Sequence, residues 1–323
     1  IAFTLVPILG LKPLGAVSAD LHVHGARSFD SSIPDFDRVL SMSASALDIV
    51  IGTDHEVIGD YSGIVAQLGL QNTLTTVVGL ETTGHIPFLM VPGYGFPLVV
   101  GHYNFWPLRY DPSLPRNGAP IDERVEPGEL FERVSPRFDG EPLIELNHPW
   151  AEAEFGRDLG FPRAIFLDLR KDLPETDDGT RQAVFMRTPA GASTSNHSHH
   201  VQEVMNGTDN GLYLQYRSFW HYTLNQGLLK PGTANSDSHS LTDNTVGMPQ
   251  NLVFTATGPG PLFDIDTFNR SLKNGRSMGT NGPVIEARLI EGLQSIPYSM
   301  DVHRPDANAR LSIRVEAAPW VPV

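Results

Sequence analysis

Short apolar runs alternate with stretches of helical periodicity through the first two-thirds of the chain. Strands are predicted at 16–23, 48–53, 74–80, 98–102, 143–147, 201–205 and 232–236. Helices are predicted near 61–70, 127–134 and 212–228, and another begins after residues 31–34, where a serine cap and a proline suit the first helical turn. Because strands that alternate with helices form βαβ units, we expect an α/β fold around a parallel sheet or barrel.

Two parts of the chain depart from this alternation. Residues 170–200 are polar and show no clear period, which is typical of a long surface insertion, and such an insertion could act as a lid. A helix at 263–273 is then followed by alternating strands at 284–290 and 310–317.

The same pattern predicts a division into domains. The chain begins at Ile1 without an initiator Met, so it is interpreted as part of a longer protein. Residues 1–17 would be a lead-in from a preceding domain, 18–296 the main domain, and 297–323 the start of a β-rich C-terminal module.

Composition excludes several classes of site. The 323 residues carry a formal net charge of −14, which argues against nucleic acid as a partner. Cysteine is absent, so disulfides, thiolate metal sites and cysteine nucleophiles are excluded. The most apolar window, 1–17, contains Lys12, Pro7 and Pro13 and is too short and too interrupted to span a membrane. The cellular location stays open, with a periplasmic or secreted one favoured over the cytoplasm.

Imidazole and carboxylate side chains recur at the C-terminal ends of the predicted strands. They are His22, His24, Asp54, His55, Glu81, His102, His148, Asp237 and His239. In α/β barrels the functional residues lie on that rim. Each motif alone is more often a turn, a cap or a surface pair. Their recurrence after six strands favours metal ions, which neutralise carboxylates and accept imidazole lone pairs.

Two histidine assignments have alternatives. His85 also follows Glu81 closely and could replace His102, but its neighbours are typical of a loop, so His102 is favoured. The other alternative is an accessory site in the polar insertion, for which a solvated loop is the default interpretation. Its candidates are His197, His199 and His200.

The order and spacing of these motifs resemble the PHP (polymerase and histidinol phosphatase) superfamily over most of residues 16–290. The motifs are Asp20-Leu21-His22-Val23-His24, Thr53-Asp54-His55, Glu81, Asn147-His148-Pro149 and Ser236-Asp237-Ser238-His239. Within it, the stretches 28–32, 101–108, 203–207 and 274–277 look most similar to the CehA/McbA branch, the carbaryl hydrolase group. The long gap between Glu81 and His102 departs from the family pattern.

The resemblance implies a distorted (β/α)7 barrel with two or three divalent ions at its C-terminal rim. The first ion would be held by His22, His24, Glu81 and Asp237, the second by Glu81, His102 and His148, and the third by Asp30, His55 and His239. Asp20 and Asp54 would orient the imidazoles. Glu81, Asp237 and His55 would have catalytic roles. Zinc is the expected metal, and manganese, iron and cobalt also suit such ligands.

The implied reaction is hydrolysis of a small-molecule aryl N-methylcarbamate or related carboxyl ester by a hydroxide that bridges two ions. Aromatic residues beside the predicted ligands could form an apolar pocket for the aryl group, although ordinary core packing is the alternative. They are Tyr103, Phe105, Trp106 and Trp150.

Two other functions stay open. Phosphoester hydrolysis is common in the wider superfamily and needs a cation at the phosphate, for which Arg27, Arg109 and Arg116 are candidates. A non-catalytic binding module with a structural metal would need only about four ligands. The oligomeric state is not predicted.

Overall fold

A computed structural model of the chain describes residues 15–90, 97–99, 101–150, 160–175, 178–297 and 303–317. The strands are β1 (Ala16–Val23), β2 (Ile49–Gly52), β3 (Thr75–Val78), β4 (Leu80–Thr82), β5 (His85–Met90), β6 (Pro97–Val99), β7 (Tyr103–Leu108), β8 (Phe138–Leu146), β9 (Val201–Asn206), β10 (Gly232–Asn235), β11 (Gln250–Phe254), β12 (Ser277–Thr280), β13 (Val284–Glu291), β14 (Gln294–Pro297) and β15 (Arg310–Glu316). The helices are α1 (Asp35–Ala44), α2 (Ser62–Gln67), α3 (Pro127–Val134), α4 (Phe161–Ala164), α5 (Arg181–Met186), α6 (Asn210–Asn225) and α7 (Ile265–Lys273).

The fold is mixed α/β, with two five-stranded sheets at its centre. Their strand orders are β12-β11-β1-β2-β3 and β10-β9-β8-β7-β4. Within the described ranges the regular hydrogen-bonded ladders do not close into a barrel. Isolated parallel bridges, Val23 with Ser238 and His55 with Glu81, connect one sheet to the other.

The pairing is not parallel throughout, which differs from the expected (β/α) alternation. β1, β2 and β3 pair in parallel, as do β8, β9 and β10. β7 runs antiparallel to both of its neighbours, β4 and β8. A parallel neighbour needs a crossover of a dozen or more residues, usually with a helix, and no helix lies between β4 and β7 in the described part of that stretch.

Apolar side chains between the sheets and helices position the rim. In β1 the alternate residues Val17, Ala19 and Leu21 pack into a core that also contains Phe268 and Leu272 of α7. Because successive residues of a strand point to opposite faces, the other set, which includes Asp20 and His22, projects to the opposite side. The local sequence of β1 therefore separates core residues from site residues.

Helix starts are partly as predicted. α3 has the predicted bounds and begins with Pro127 in its first turn. The serine cap expected for α1 is not found, because the residue at its N-cap is Pro34, which offers no side-chain hydrogen bond.

Some of the described residues in 170–200 are buried in the core. The Thr180 side chain caps α5 by accepting a hydrogen bond from the Ala183 amide. Phe185 of α5 is buried in the core cluster that contains Phe219. His199 is also buried, so the expectation of a solvated loop is wrong for this residue. The lid function stays a prediction.

The C-terminal strands form a separate three-stranded antiparallel sheet in the order β14-β13-β15. Most of the predicted lead-in 1–17 lies outside the described residues, as does the end of the predicted C-terminal module. The domain division therefore stays a prediction. Among the described helices, none combines the length and the apolar character needed to cross a membrane.

Candidate metal centre

Three overlapping groups of imidazoles and carboxylates meet where strands of the two sheets end. Within each group, one donor atom per residue lies within 4.8 Å of the others. The groups are His22, His24, Glu81 and Asp237; His24, Asp30, His55 and His239; and His55, Glu81 and His102.

His102 reaches this rim by a different route from the predicted one. The predicted strand 98–102 does not include His102, since β6 is Pro97–Val99 and pairs with β5, whereas His102 directly precedes β7. Tyr103 lies opposite both Thr82 and Leu146, at the ends of β4 and β8. The start of an antiparallel strand therefore lies at the edge where its neighbours end. The alternative candidate, His85, lies in β5, and its side chain is outside the described residues.

The first group surrounds one oxygen of Glu81. Glu81 Oε2 lies 2.9 Å from His22 Nε2 and 3.1 Å from His24 Nε2. Asp237 Oδ1 lies 3.2 and 3.1 Å from the same two nitrogens. These four residues are the set predicted for the first ion.

The second oxygen of Glu81 faces a different pair of imidazoles. Glu81 Oε1 lies 3.0 Å from His102 Nδ1 and 3.5 Å from His148 Nε2. It also accepts a 2.7 Å hydrogen bond from the Asn147 side chain. The carboxylate of Glu81 thus lies between two sets of nitrogen donors, as a bridging ligand would.

The group that contains Asp30 lies closer to solvent than the first group. Its Oδ2 is 3.4 Å from His55 Nε2 and 3.3 Å from His239 Nε2. His24 belongs to this group and to the first group. A single nitrogen binds one ion at a time, so these two groups compete for His24.

Oxygen atoms outside the three groups hold four of the imidazoles in one orientation. The Nδ1 atoms of His22, His24 and His239 lie 2.8 Å from Glu203 Oε1, Ser28 Oγ and the Asp237 carbonyl oxygen respectively. His55 Nδ1 lies 3.3 Å from Thr83 Oγ1. An imidazole that donates its Nδ1 proton to oxygen keeps an Nε2 lone pair for a cation. All four Nε2 atoms point into the cluster.

Sequence reasoning missed Glu203, which is buried on β9. Its Oε1 contacts His22, and its Oε2 accepts a 2.6 Å hydrogen bond from the His148 backbone amide. Glu203 therefore orients one predicted ligand directly and fixes the backbone of another. The sequence signal was a carboxylate within a predicted strand, beside Gln202 and Val204, which alone does not distinguish a functional carboxylate from a salt-bridged one.

Asp20 and Asp54 do not have the predicted role of orienting imidazole rings. Asp20 accepts hydrogen bonds from backbone amides, including those of Ser236 and Gly247. Asp54 accepts from the Gly25 amide at 2.6 Å and from the Tyr61 hydroxyl at 2.8 Å. Both carboxylates lie beside ligand-bearing segments and hold their backbone.

Several buried polar atoms of the cluster have no hydrogen-bond partner among the described residues. Those that face the cluster are His24 Nε2, His239 Nε2 and Asp237 Oδ1, whose contacts of 3.1–3.3 Å with neighbouring imidazoles or carboxylates lack the geometry of a hydrogen bond. Leaving such atoms buried and unpaired is costly, whereas a divalent cation would accept their lone pairs. Imidazole with carboxylate is a donor set that zinc, manganese, iron and cobalt all accept. The residues present therefore fit divalent metal ions.

The electrostatics of the cluster lead to the same conclusion. Burial alone would lower the pKa of His22, but Asp237 and Glu81 raise that pKa well above its usual value. Burial would raise the pKa of Glu81, but His22 and His55 lower it well below its usual value. Burial lowers the pKa of His102 to about 4. The carboxylates thus retain positive charge beside them, in the form of protons or of a cation that replaces them.

Three of the four aromatic residues predicted to line a pocket are buried in the apolar core. Tyr103 and Phe105 lie in the core cluster beneath the rim, and Trp106 is buried with its ring nitrogen donating to Asn269. Only Trp150 is partly exposed, and its ring stacks on Phe219 with centroids 5.9 Å apart. Tyr103 and Phe105 lie in one core cluster and Trp106 lies in another, so apolar side chains cover parts of both faces of β7.

The arginines proposed for a phosphate are engaged elsewhere. Arg27 donates to both oxygens of Asp35, at 3.0 and 2.5 Å. Arg116 lies 3.1 Å from Glu56. Arg109 is exposed and donates to a backbone carbonyl.

No profile of a known protein family and no curated protein matches the chain. Solved structures give distant matches. A lesion-specific endonuclease from Pyrococcus furiosus is 12% identical with a TM-score of 0.41, covering 74% of this chain and 52% of its own. The chain therefore spans about half the length of that endonuclease.

Two further solved structures match over most of their own length. A protein assigned as a metal-dependent phosphoesterase from Bifidobacterium adolescentis is 14% identical with a TM-score of 0.41, covering 79% of this chain and 95% of its own. An amidohydrolase from Chromobacterium violaceum with bound sulfate and no metal is 13% identical with a TM-score of 0.40, covering 71% and 89%. At such scores neither fold nor function transfers, and the metal-site interpretation rests on the contacts described above.

Proposed function

We propose that the protein is a metal-dependent hydrolase whose catalytic centre is the cluster around Glu81. The observation that carries this proposal is the position of the two Glu81 oxygens between two sets of imidazoles, with Asp237 beside one set. Divalent cations held there would polarise the oxygen of the scissile group and lower the pKa of water.

The roles of the chain's own residues follow from their contacts. Glu81 is buried and would hold two cation positions at a fixed separation. Asp237 would share the first of these positions through Oδ1, while its Oδ2 accepts a hydrogen bond from Asn206. His55 lies 3.3 Å from Glu81 Oε2 and would connect that position to the outer group at Asp30.

The PHP-like barrel belongs to this proposal. The order of the strands around it would be β1, β2, β4, β7, β8, β9 and β10. The two isolated bridges support closure, because one connects the end of β2 to β4 and the other connects β1 to the segment after β10. In this arrangement the cluster lies on the rim where the parallel strands end.

We propose a carboxyl ester or aryl carbamate as the substrate. The supporting observation is that the three arginines considered for a phosphate have carboxylate or carbonyl partners in the protein. A neutral ester needs no such cation. Phosphoester hydrolysis is the second candidate, favoured by the overlap of three donor groups, since neighbouring cations can clamp the attacking and leaving oxygens of a phosphoester.

A substrate panel tests this choice. The purified protein, as isolated and after loading with zinc, manganese, iron or cobalt, is assayed on 1-naphthyl N-methylcarbamate, 1-naphthyl acetate and p-nitrophenyl phosphate. We expect chelator-sensitive hydrolysis of the first two, with zinc as the metal found by elemental analysis. Hydrolysis of the phosphate alone would favour the second candidate. Bound metal without turnover on any of the three would favour a non-catalytic binding module.

A further inference from the structure

Glu145 is a fully buried carboxyl group to which the proposed function gives no role. It lies on β8, and its hydrogen-bond partners in the described chain are uncharged groups, namely the Thr233 hydroxyl and the side-chain amides of Asn235 and Asn104. Burial and the nearby charge of Glu203 raise the pKa of Glu145 to about 8. Burying an acid without a basic partner is costly, and such groups are concentrated at functional sites.

Glu145 belongs to a row of polar side chains that crosses three strands. On β7, Asn104 lies opposite Glu81 of β4 and opposite Glu145 of β8. Cross-strand partners project from the same face of a sheet. The next pair on that face, Trp106 and Leu143, lies in an apolar core cluster. The row therefore starts at a candidate metal ligand and continues along the border between the site and that core.

One oxygen of Glu145 is connected to Glu81 through two amides. Asn104 Nδ2 donates to Glu145 Oε2 and to the Leu21 carbonyl, both at 3.3 Å. Asn104 Oδ1 accepts a 2.9 Å hydrogen bond from Asn147 Nδ2, which also donates to Glu81 Oε1 at 2.7 Å. Each amide nitrogen has two protons, and here both have an acceptor, so the orientation of each amide is fixed.

The other oxygen of Glu145 is connected to His22. Asn235 Nδ2 donates to Glu145 Oε1 at 3.0 Å and to Glu203 Oε1 at 2.8 Å. The same oxygen of Glu203 lies 2.8 Å from His22 Nδ1. Asn235 Oδ1 accepts a 2.9 Å hydrogen bond from Asn251, which keeps its Nδ2 directed at the two carboxyl groups. Both branches that leave Glu145 therefore end at a candidate metal ligand.

We propose that Glu145 is a positioning residue of the metal centre, which accepts one amide on each oxygen and through these amides fixes the Glu81 carboxylate and the His22 ring. A carboxyl group accepts on both oxygens, whereas the amide of Gln, which has the same size, accepts on only one. The proposal rests on the proposed function in taking Glu81 and His22 as metal ligands. Its effect on the His22 ring does not depend on metal.

The test compares Glu145→Gln, which releases one amide, and Glu145→Leu, which releases both, with Asn269→Leu as a matched control. Asn269 is as fully buried as Glu145, but it accepts from the Trp106 ring nitrogen and donates to the Glu141 carbonyl, away from both branches. Co²⁺ affinity is measured by competition with a chromophoric chelator. The visible absorption of bound Co²⁺ reports its coordination geometry. In the metal-free protein, NMR follows the ring N–H resonance of His22, assigned with His22→Gln.

For Glu145→Gln we expect Co²⁺ binding to weaken about three- to tenfold with a changed visible spectrum, a smaller effect than the factor of about 10–100 for groups that touch a ligand directly. Glu145→Leu should weaken binding further and shift the His22 resonance. Asn269→Leu should lower stability to denaturant but keep the affinity, spectrum and resonance of the wild type. Wild-type affinity and spectrum in Glu145→Gln, or the same changes in Asn269→Leu, would overturn the proposal. Because Gln keeps the size of the side chain, this comparison does not require Glu145→Leu to fold.

The outcomes separate this inference from the proposed function. If the wild type binds Co²⁺ and the Glu145 variants behave like Asn269→Leu, the positioning role is wrong and the metal centre stands. If the wild type binds no Co²⁺, the proposed function is wrong and the His22 resonance decides the positioning role. A shift in the Glu145 variants but not in Asn269→Leu then supports that role, and an unshifted resonance overturns it.

Discussion

Replacing Glu81 by Gln should remove metal ions and activity far more severely than replacing Asp30 by Asn. Glu81 is 1% exposed and both of its oxygens face imidazoles of the cluster. Asp30 is 37% exposed, and its ion pairs are with the outer histidines His55 and His239. Both substitutions keep the size of the side chain and remove its charge, so the comparison isolates the position of the charge.

The expected magnitudes follow from this difference in burial. A carboxylate about 4 Å from a unit charge is worth about 4 kcal/mol at an effective dielectric constant of about 20, and a divalent ion increases that value. At about 1.4 kcal/mol per factor of ten, Glu81→Gln should weaken metal binding by a factor of about 10³ or more. An exposed ion pair is worth about 1 kcal/mol or less, so Asp30→Asn should cost about fivefold.

The assay is a competition titration with a chromophoric chelator, followed by elemental analysis and kcat for the metal-loaded variants. We expect Glu81→Gln to be purified with less than one equivalent of metal and no measurable turnover, and Asp30→Asn to retain the inner metal with reduced turnover. Comparable activity losses in both variants, with metal content intact, would refute the bridging role of Glu81.

Three further predictions concern residues beneath and beside the cluster. Glu203→Gln should weaken metal affinity by about 10- to 100-fold, the usual cost of losing a carboxylate that orients a ligand; an unchanged chelator titration would count against this role. Phe105→Ala should lower the free energy of unfolding by about 3–5 kcal/mol in denaturant titrations, because Phe105 is core rather than pocket; a selective rise in KM for naphthyl esters without loss of stability would contradict it. Burial would lower the pKa of His239, but Asp237 and Asp30 raise that pKa from 6.5 to about 9. Protonated His239 therefore stabilises the metal-free protein. This stabilisation is complete below pH 6.5 and is lost as the pH rises through 9. The thermal midpoint of the chelator-treated protein should therefore fall between pH 7 and 9 more than that of His239→Gln, and parallel pH profiles would contradict this assignment.

The spacing of apolar residues along the chain correctly predicted those elements in which that spacing also defines the buried face. The predicted bounds of β1 and α3 agree with the structure, since an alternating run and a proline-started amphipathic stretch each specify their own conformation. The meeting of His22, His24, Glu81 and Asp237 at one rim was expected from their positions at the ends of strands or in the turns that follow them, whereas their assignment to a single ion came from the family resemblance.

Only the tertiary structure decided which side chains support that group. The sequence does not give strand direction, so it could not show that His102 enters the rim from the start of β7. It does not give cross-strand neighbours either. Glu203 was missed because its contact with His22 joins residues that are 181 positions apart in the chain. Tyr103 and Phe105 follow a predicted ligand closely in sequence, yet both lie in the core, because the packing of distant segments against β7 covers them. Residue chemistry and period are local properties of the chain, but the partners of a side chain depend on which strands become neighbours.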